Sequence, residues 1–279
     1  MLRDKTGANM ITGWERERRQ HFDEVVGDYD RVRPEYPCEL FEDIFRYIGT
    51  GPAKKALEIG AGTGKATVHF LNAGYDVTAV EIGENMSAFL KERFKGSGNF
   101  SVCTAPFENA LLEEGAYDLV YAAAAFHWVD AEIGCPKVFR LLRNKGAFVL
   151  FRYITVPADG DELYEEIQTL YRKYFKPYKR PIRKTGAELW EPSEIKKRFG
   201  FEDLKQYGFS DISTKLYSGS KTYNADEYIA LLETFADHRS RPESEKAPLY
   251  SGIREAILRH GGRHKVDYTF MLYMGRKYI

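Results

Sequence analysis

The chain has 279 residues, long enough for one α/β domain with additions and for a sizeable buried core. Its 41 basic and 41 acidic side chains cancel, which removes the long-range attraction that nucleic acid or an anionic membrane surface would exploit. Three scattered cysteines, Cys38, Cys103 and Cys135, match no metal-site spacing, and no segment reaches the roughly 20 apolar residues a membrane span requires, so a soluble cytoplasmic protein is expected.

Residues 1 to about 20 are polar with mixed charge and read as a solvated start. From Phe22 a helix runs to Arg33 and is stopped by Pro34 and Pro37. Leu40, Ile44, Phe45 and Ile48 mark a second, amphipathic helix that ends near Gly49–Gly51. Lys55–Ile59 is then an apolar run with an embedded acid, Glu58, leading into glycines at 60, 62 and 64 and a helical pattern from about Lys65. Strand, tight turn and helix in that order form a nucleotide-type site in an α/β sheet. A dinucleotide fingerprint would need its third glycine at position 65, where Lys65 stands, so a nicotinamide enzyme is disfavoured. A carboxylate inside such a strand is costly to bury without a cationic or hydrogen-bonding partner.

Tyr75–Glu81 is a second strand ending in an acid, 21 positions after Gly60. Nucleotide folds place a carboxylate there to accept both ribose hydroxyls; the other reading of Glu81 is a helix-start acid beside Gly83. Asn85 and Met86 open the next helix, Phe100–Thr104 is a third strand, and Tyr117–Ala122 a fourth that runs into Ala123–Asp130. A helix through Val138, Leu141 and Leu142 ends at Asn144–Gly146, before a fifth strand at Ala147–Phe151. Strands alternating with helices predict a parallel, doubly wound sheet. Beyond it the spacing predicts helices over 161–174, 224–237 and 247–259, a short helix from Trp190 and Pro192, a basic loop at 176–184, and strands over 209–221 and 268–274.

The stretch Glu58-Ile-Gly-Ala-Gly-Thr-Gly64 resembles motif I of the class I S-adenosylmethionine (SAM) methyltransferases. With the acid at 81, Ala125-Phe-His-Trp-Val-Asp130 after the fourth strand and Leu141-Leu-Arg-Asn-Lys-Gly146 before the fifth, the chain resembles the type 11 group, and within it the subset that includes trans-aconitate methyltransferases. The resemblance covers residues 22–155 well and reaches weakly to 222–234 and 268–274. It implies a doubly wound, seven-stranded, mostly parallel sheet in a single domain over 1–279. The SAM-binding core is expected at 22–155, helical lid insertions at 156–208 and 222–262, and the final strand within 263–275.

The same resemblance names a cofactor set. Tyr29 and Arg33, in Tyr-Asp-Arg-Val-Arg-Pro-Glu-Tyr-Pro, would lie near the methionine carboxylate; as plain sequence this stretch also reads as surface helix covering the sheet. Glu58, Gly60, Ala61, Gly62 and Gly64 form the turn, and Glu81 with Ile82 takes the ribose. Met86 packs on the adenine face or in the core. Thr104 stands where the family often has an acid for the adenine amino group, so a backbone contact near Ala105 or Phe107 is expected instead. Ala122, Ala123 and His127 complete the set. No phosphate is bound, so no metal is expected.

His127 is a candidate base or substrate-orienting group, or else packs beside Trp128 and caps the next helix. Trp128, Tyr153, Tyr174, Trp190 and His238, with Tyr164, Tyr171 and Tyr178, are candidate acceptor walls, although tyrosines on helices are commonly half-buried packing. Arg152, Arg180 and Arg183 suit an acidic acceptor. The expected activity is methyl transfer from SAM to a small molecule, at a carboxylate or hydroxyl oxygen. The alternatives are N-methylation of an amine or tRNA base, which the 176–184 loop allows, and a non-catalytic SAM-binding regulator.

Overall fold

A computed structural model describes residues 21–24, 26–49 and 54–279. The solvated start expected over residues 1–20 lies outside the described residues.

Five strands run parallel: β1 (Lys55–Ile59), β2 (Asp76–Glu81), β3 (Phe100–Thr104), β4 (Tyr117–Ala123) and β5 (Leu142–Thr155). Two long antiparallel strands, β6 (Phe209–Tyr223) and β7 (His264–Lys277), complete a seven-stranded sheet of order β3-β2-β1-β4-β5-β7-β6. β1 is buried on both faces from Ala56 to Ile59, as a central parallel strand must be, which is why its sequence reads as a continuous apolar run. The fifth strand starts earlier than expected. Leu142 already pairs with Tyr117 and the ladder resumes at Ala147 opposite Leu119, so residues 143–146 form a bulge in the strand, with Lys145 at φ 66°, and not the end of a helix.

Helices cover both faces. On one, α1 (Val26–Val32), α2 (Cys38–Ile48) and α3 (Thr67–Asn72) pack Val32, Leu40, Ile44 and Phe70 against Leu119, Tyr121, Val149 and Phe151. α4 (Glu84–Arg93) joins this side through Leu90 on Ala61 and Ala79. On the other, α5 (Ala131–Leu141) presents Cys135, Val138 and Leu141 to Leu57, Val120 and Phe148. Asp130 caps α5 by accepting from the Glu132 amide at 3.0 Å.

Three further helices, α6 (Glu162–Tyr174), α7 (Ala225–Glu233) and α8 (Glu243–Arg259), make their own core from Leu163, Ile167, Leu232, Leu249 and Ile253. Asn224 and Glu227 form a capping box that fixes the start of α7. The helix expected over 224–237 breaks at Thr234 and Phe235, and a separate turn follows over Ala236–Arg239. The segment 156–208, expected as one lid insertion, divides. Its first part is α6; its second packs Leu189, Phe199, Phe201 and Leu204 under β4, β5 and β7 on the face that carries α5.

Candidate active site

The carboxyl ends of the five parallel strands and the start of β7 open on one cavity of about 890 Å³. Ligands of open α/β sheets lie at that edge. Ile59, Gly60 and Gly62 come from β1 and its turn, Val80–Gly83 from β2, Ala105–Phe107 from the segment after β3, Ala123–Ala125 from the end of β4, and Arg152–Ala158 from β5. The opposite wall is built by Tyr164, Gln168 and Tyr171 of α6 and by Tyr228 and Leu232 of α7.

The glycine turn serves two purposes. Gly60 has φ 67°, and a Cβ there would lie 2.5 Å from Cβ of Ala125, so the strand-end loops meet only because position 60 is bare. Gly64, φ 83°, would strike the Phe94 ring at 2.6 Å; it lets α4 pack against the turn and does not line the cavity. Ala124 also has positive φ, 53°, an unusual conformation for a residue with a Cβ and one that commonly marks a functional loop.

Glu81 is almost completely buried on the cavity wall. Its oxygens accept from the Gly62 amide at 2.8 Å and the Gly83 amide at 3.0 Å, which ties the first turn to the second. Burial raises its pKa, and the amides of Gly83, Gly62 and Ile82 oppose that rise. Asp23 reaches the same wall and accepts from the Met86 amide at 2.7 Å and the Asn85 amide at 3.1 Å at the start of α4.

Arg33 crosses the cavity. One nitrogen donates to the Tyr153 hydroxyl at 2.9 Å, another to the Thr234 carbonyl at 2.5 Å, and the guanidinium lies over the rings of Phe235 at 4.3 Å and Tyr29 at 4.9 Å. Its buried Nε has no partner. Arg152 donates to the Phe199 carbonyl at 3.1 Å. Neither guanidinium pairs with a carboxylate among the described residues; burial lowers the pKa of Arg152, whereas at Arg33 the burial effect is outweighed by Tyr153, Tyr29 and Tyr36 and its pKa rises. His127 stands beside them with its buried Nδ1 unpartnered. Burial, then Arg152 and Arg33, push its pKa well below the ordinary value, so the imidazole is neutral at pH 7. Gly200, φ 70°, lets the neighbouring loop close on both residues; a Cβ there would come within 2.7 Å of His127 and 3.3 Å of Arg152.

Of the site candidates named from sequence, Tyr29, Arg33, Gly60, Gly62, Glu81, Ile82, Met86, Ala105, Phe107, Ala123, His127, Trp128, Tyr153 and His238 line this cavity, as do Arg152, Tyr164, Tyr171 and Tyr178. Nine do not. Glu58 points to α3, where its Oε2 accepts from Thr67 at 2.5 Å and Tyr121 at 2.9 Å; it is 0% exposed and its pKa is pushed up to about 8 by burial. Ala61 and Gly64 pack on α4, Thr104 faces solvent, and Ala122 is inside the sheet core. Tyr174 ends α6 beneath the Lys173 ammonium at 4.6 Å, and Trp190 lies outside on the surface, 44% exposed. Strand alternation and helix phase decide these directions. Arg180 is taken by Glu165 and Asp159, and Arg183 is not on the wall. Asp23, Gln168, Phe175, Tyr228 and Phe235 carried no signal in the sequence beyond amphipathic spacing.

Residues 57–150 match the family model described as a methyltransferase domain, type 11. A probable SAM-dependent methyltransferase of Saccharomyces cerevisiae is 31% identical over 205 residues, covering 69% of this chain and 66% of the relative. An uncharacterized methyltransferase of Schizosaccharomyces pombe is 24% identical, covering 83% of this chain and 85% of that one. Among solved structures, a phosphoethanolamine N-methyltransferase of Haemonchus contortus in complex with SAM matches with a TM-score of 0.53 at 16% identity, which supports the fold. The alignment covers 97% of this chain, and the chain spans about three-fifths (61%) of the nematode protein. No helix among the described residues is long and apolar enough to cross a membrane. The cavity at the strand ends, the glycine turn with its acid and these relatives together place the chain among the class I SAM-dependent methyltransferases.

Proposed function

We propose that this chain methylates a carboxylate oxygen of a small molecule, with SAM held along the ends of β1 to β4. The wall fits the cofactor. Gly60 and Gly62 carry no Cβ where the turn meets the cavity, and the Glu81 carboxylate retains lone-pair capacity for ribose hydroxyls beyond the amides it already accepts. Met86, Ala105 and Phe107, which line the cavity, would contact the adenine, and Tyr29 and Arg33, on the same wall, would meet the methionine carboxylate. The cofactor supplies an electrophilic methyl group on a sulfonium sulfur.

The observation that carries the carboxylate is the pair of half-buried guanidinium groups, Arg33 and Arg152, beside neutral His127, with no carboxylate among the described residues paired to either. One anion, the methionine end, answers Arg33; Arg152 calls for a second. A carboxylate is already ionised at pH 7 and needs no base, whereas an imidazole of depressed proton affinity is a weak base for a hydroxyl. The role left to His127 is to orient the acceptor through its free ring nitrogen, with Trp128 shielding the site from water. The resemblance to the trans-aconitate subset supports the same acceptor chemistry. A cationic amine would meet two like charges.

The test measures release of S-adenosylhomocysteine (SAH) from SAM across carboxylic acids, phenols, amines and thiols, with SAH binding by calorimetry alongside. Turnover confined to acids is expected. Turnover of amines or phenols with the acids inert would overturn the carboxylate reading.

A further inference from the structure

The cavity extends beyond the transfer site. Past Arg152 and Tyr153 it continues beneath α6 and α7, where Tyr164, Tyr171, Phe175, Tyr178, Tyr228 and Leu232 wall it. Two of those hydroxyls are used inside the wall. The Tyr171 hydroxyl lies 3.1 Å from Nε2 of His238, whose Nδ1 is 3.2 Å from the Tyr250 hydroxyl, and the Tyr178 hydroxyl donates to Gln168. Tyr171 and Tyr178 stack on each other, centroids 5.1 Å apart at 18°. With their hydroxyls satisfied there, these rings offer the cavity carbon surface. The chamber therefore has one cationic end, Arg152 with neutral His127 beside it, and a largely aromatic remainder, in which the buried Tyr164 hydroxyl has no partner and Gln168, Asp237, His238 and His264 add polar atoms to the wall. Lys179 and Lys265 touch the cavity only as exposed residues at its mouth, and Lys265 is paired with Asp267 at 2.8 Å.

The total volume, about 890 Å³, approaches the upper end of the range that holds one drug-sized ligand, so a cofactor and an acceptor of some size fit together. A compact polyacid would set its further carboxylates against the tyrosine rings, desolvated and without a cation. An aryl or alkyl body would instead exchange water for carbon contacts.

Resting on the methyl-transfer reading above, we infer that the acceptor is an amphiphilic monocarboxylate, its head at Arg152 and its aryl or extended alkyl body in the tyrosine chamber. Its carboxylate oxygen forms the new bond to the methyl carbon as the carbon–sulfur bond breaks. The electron pair leaves with sulfur, the acid becomes a neutral methyl ester, and no proton moves. The product loses the charge that Arg152 holds and keeps only its apolar contacts, which favours its release over the acid.

The test uses the full chain. SAH is titrated first by calorimetry. Straight-chain acids from acetate to dodecanoate, phenylalkanoic acids, trans-aconitate and citrate are then titrated into the SAH-loaded protein and assayed with SAM. Affinity and kcat/KM are expected to rise about fourfold per methylene, the equivalent of about 0.8 kcal/mol, until the chamber is full. Tyr178→Ala is expected to raise KM for the long acids tenfold or more, with a smaller change in kcat, and Tyr178→Phe, which keeps the ring, to restore it. SAH affinity of each variant reports on its fold. SAH binding with a flat chain-length series, with polyacids preferred, or with no acid bound overturns the amphiphilic acceptor and leaves the methyltransferase reading in place. Absence of SAH binding overturns that reading and this inference with it.

Discussion

Glu58 offers the sharpest test of how the core is built. Its carboxyl group is fully buried, accepts two hydroxyl hydrogen bonds on Oε2, faces no cation and has no partner on Oε1. Burial outweighs those bonds and pushes its pKa up to about 8, against an ordinary 4.5. Between those values the folded protein holds a proton that the unfolded chain has released. Folding takes that proton up, so stability falls as pH rises through the window; the contribution is complete below 4.5 and lost above 8. At about 1.36 kcal/mol per pH unit the gap integrates to about 5 kcal/mol. Glu58→Gln keeps an acceptor for Thr67 and Tyr121 and cannot ionise. The amide nitrogen inherits the partnerless position, a cost of about 1–3 kcal/mol at every pH that the protonated acid shares. Urea unfolding of wild type and variant at half-unit steps from pH 5 to 9 is therefore expected to give similar stabilities at pH 5 and a variant more stable by several kcal/mol at pH 9. SAH affinity should not change, because Glu58 is off the cavity wall. Parallel curves across the whole range would refute the reasoning, and a collapse of SAH affinity would return Glu58 to the cofactor.

Glu81→Ala is expected to weaken SAH binding by about 1.5–3 kcal/mol through lost charge-assisted hydrogen bonds, read by calorimetry; unchanged affinity would remove Glu81 from the ribose role. Gly60→Ala places a Cβ 2.5 Å from that of Ala125 at positive φ, so it should cost at least about 1–2 kcal/mol of stability from the backbone alone and lower SAH affinity as well. A variant as stable as wild type would show that the turn has room to move. The pKa of His127 is held well below its ordinary value, so for a carboxylate acceptor kcat should be flat from pH 6 to 9. An inflection near 6.5 that vanishes in His127→Gln would assign the histidine an ionisation in the reaction.

Much of the fold was legible because its signals are local. The run Lys55–Ile59, the three glycines and the acid ending Tyr75–Glu81 are patterns of neighbours, and a parallel strand buried on both faces must be apolar along its length. The edge at which the site would lie follows from that topology. Glu58 and Glu81 show where such reading stops. Both are acids near strand ends, and sequence placed both on the cofactor; only the packing of α3 and β4, whose Thr67 and Tyr121 hydroxyls both donate to its Oε2, turns Glu58 inward. Gly64 looked like a third ligand contact; in the structure it is off the cavity wall and leaves the space that the Phe94 ring occupies. Tyr174 and Tyr171 share one helix, yet only Tyr171 meets the cavity, since its partner His238 arrives from 67 residues away. The sequence by itself determined the strand order's logic, the glycine turn and the two candidate acids, all set by short-range pattern. Tertiary structure alone decided which side chains face the cavity, because each depends on the helix or loop that packs against it from a distant part of the chain.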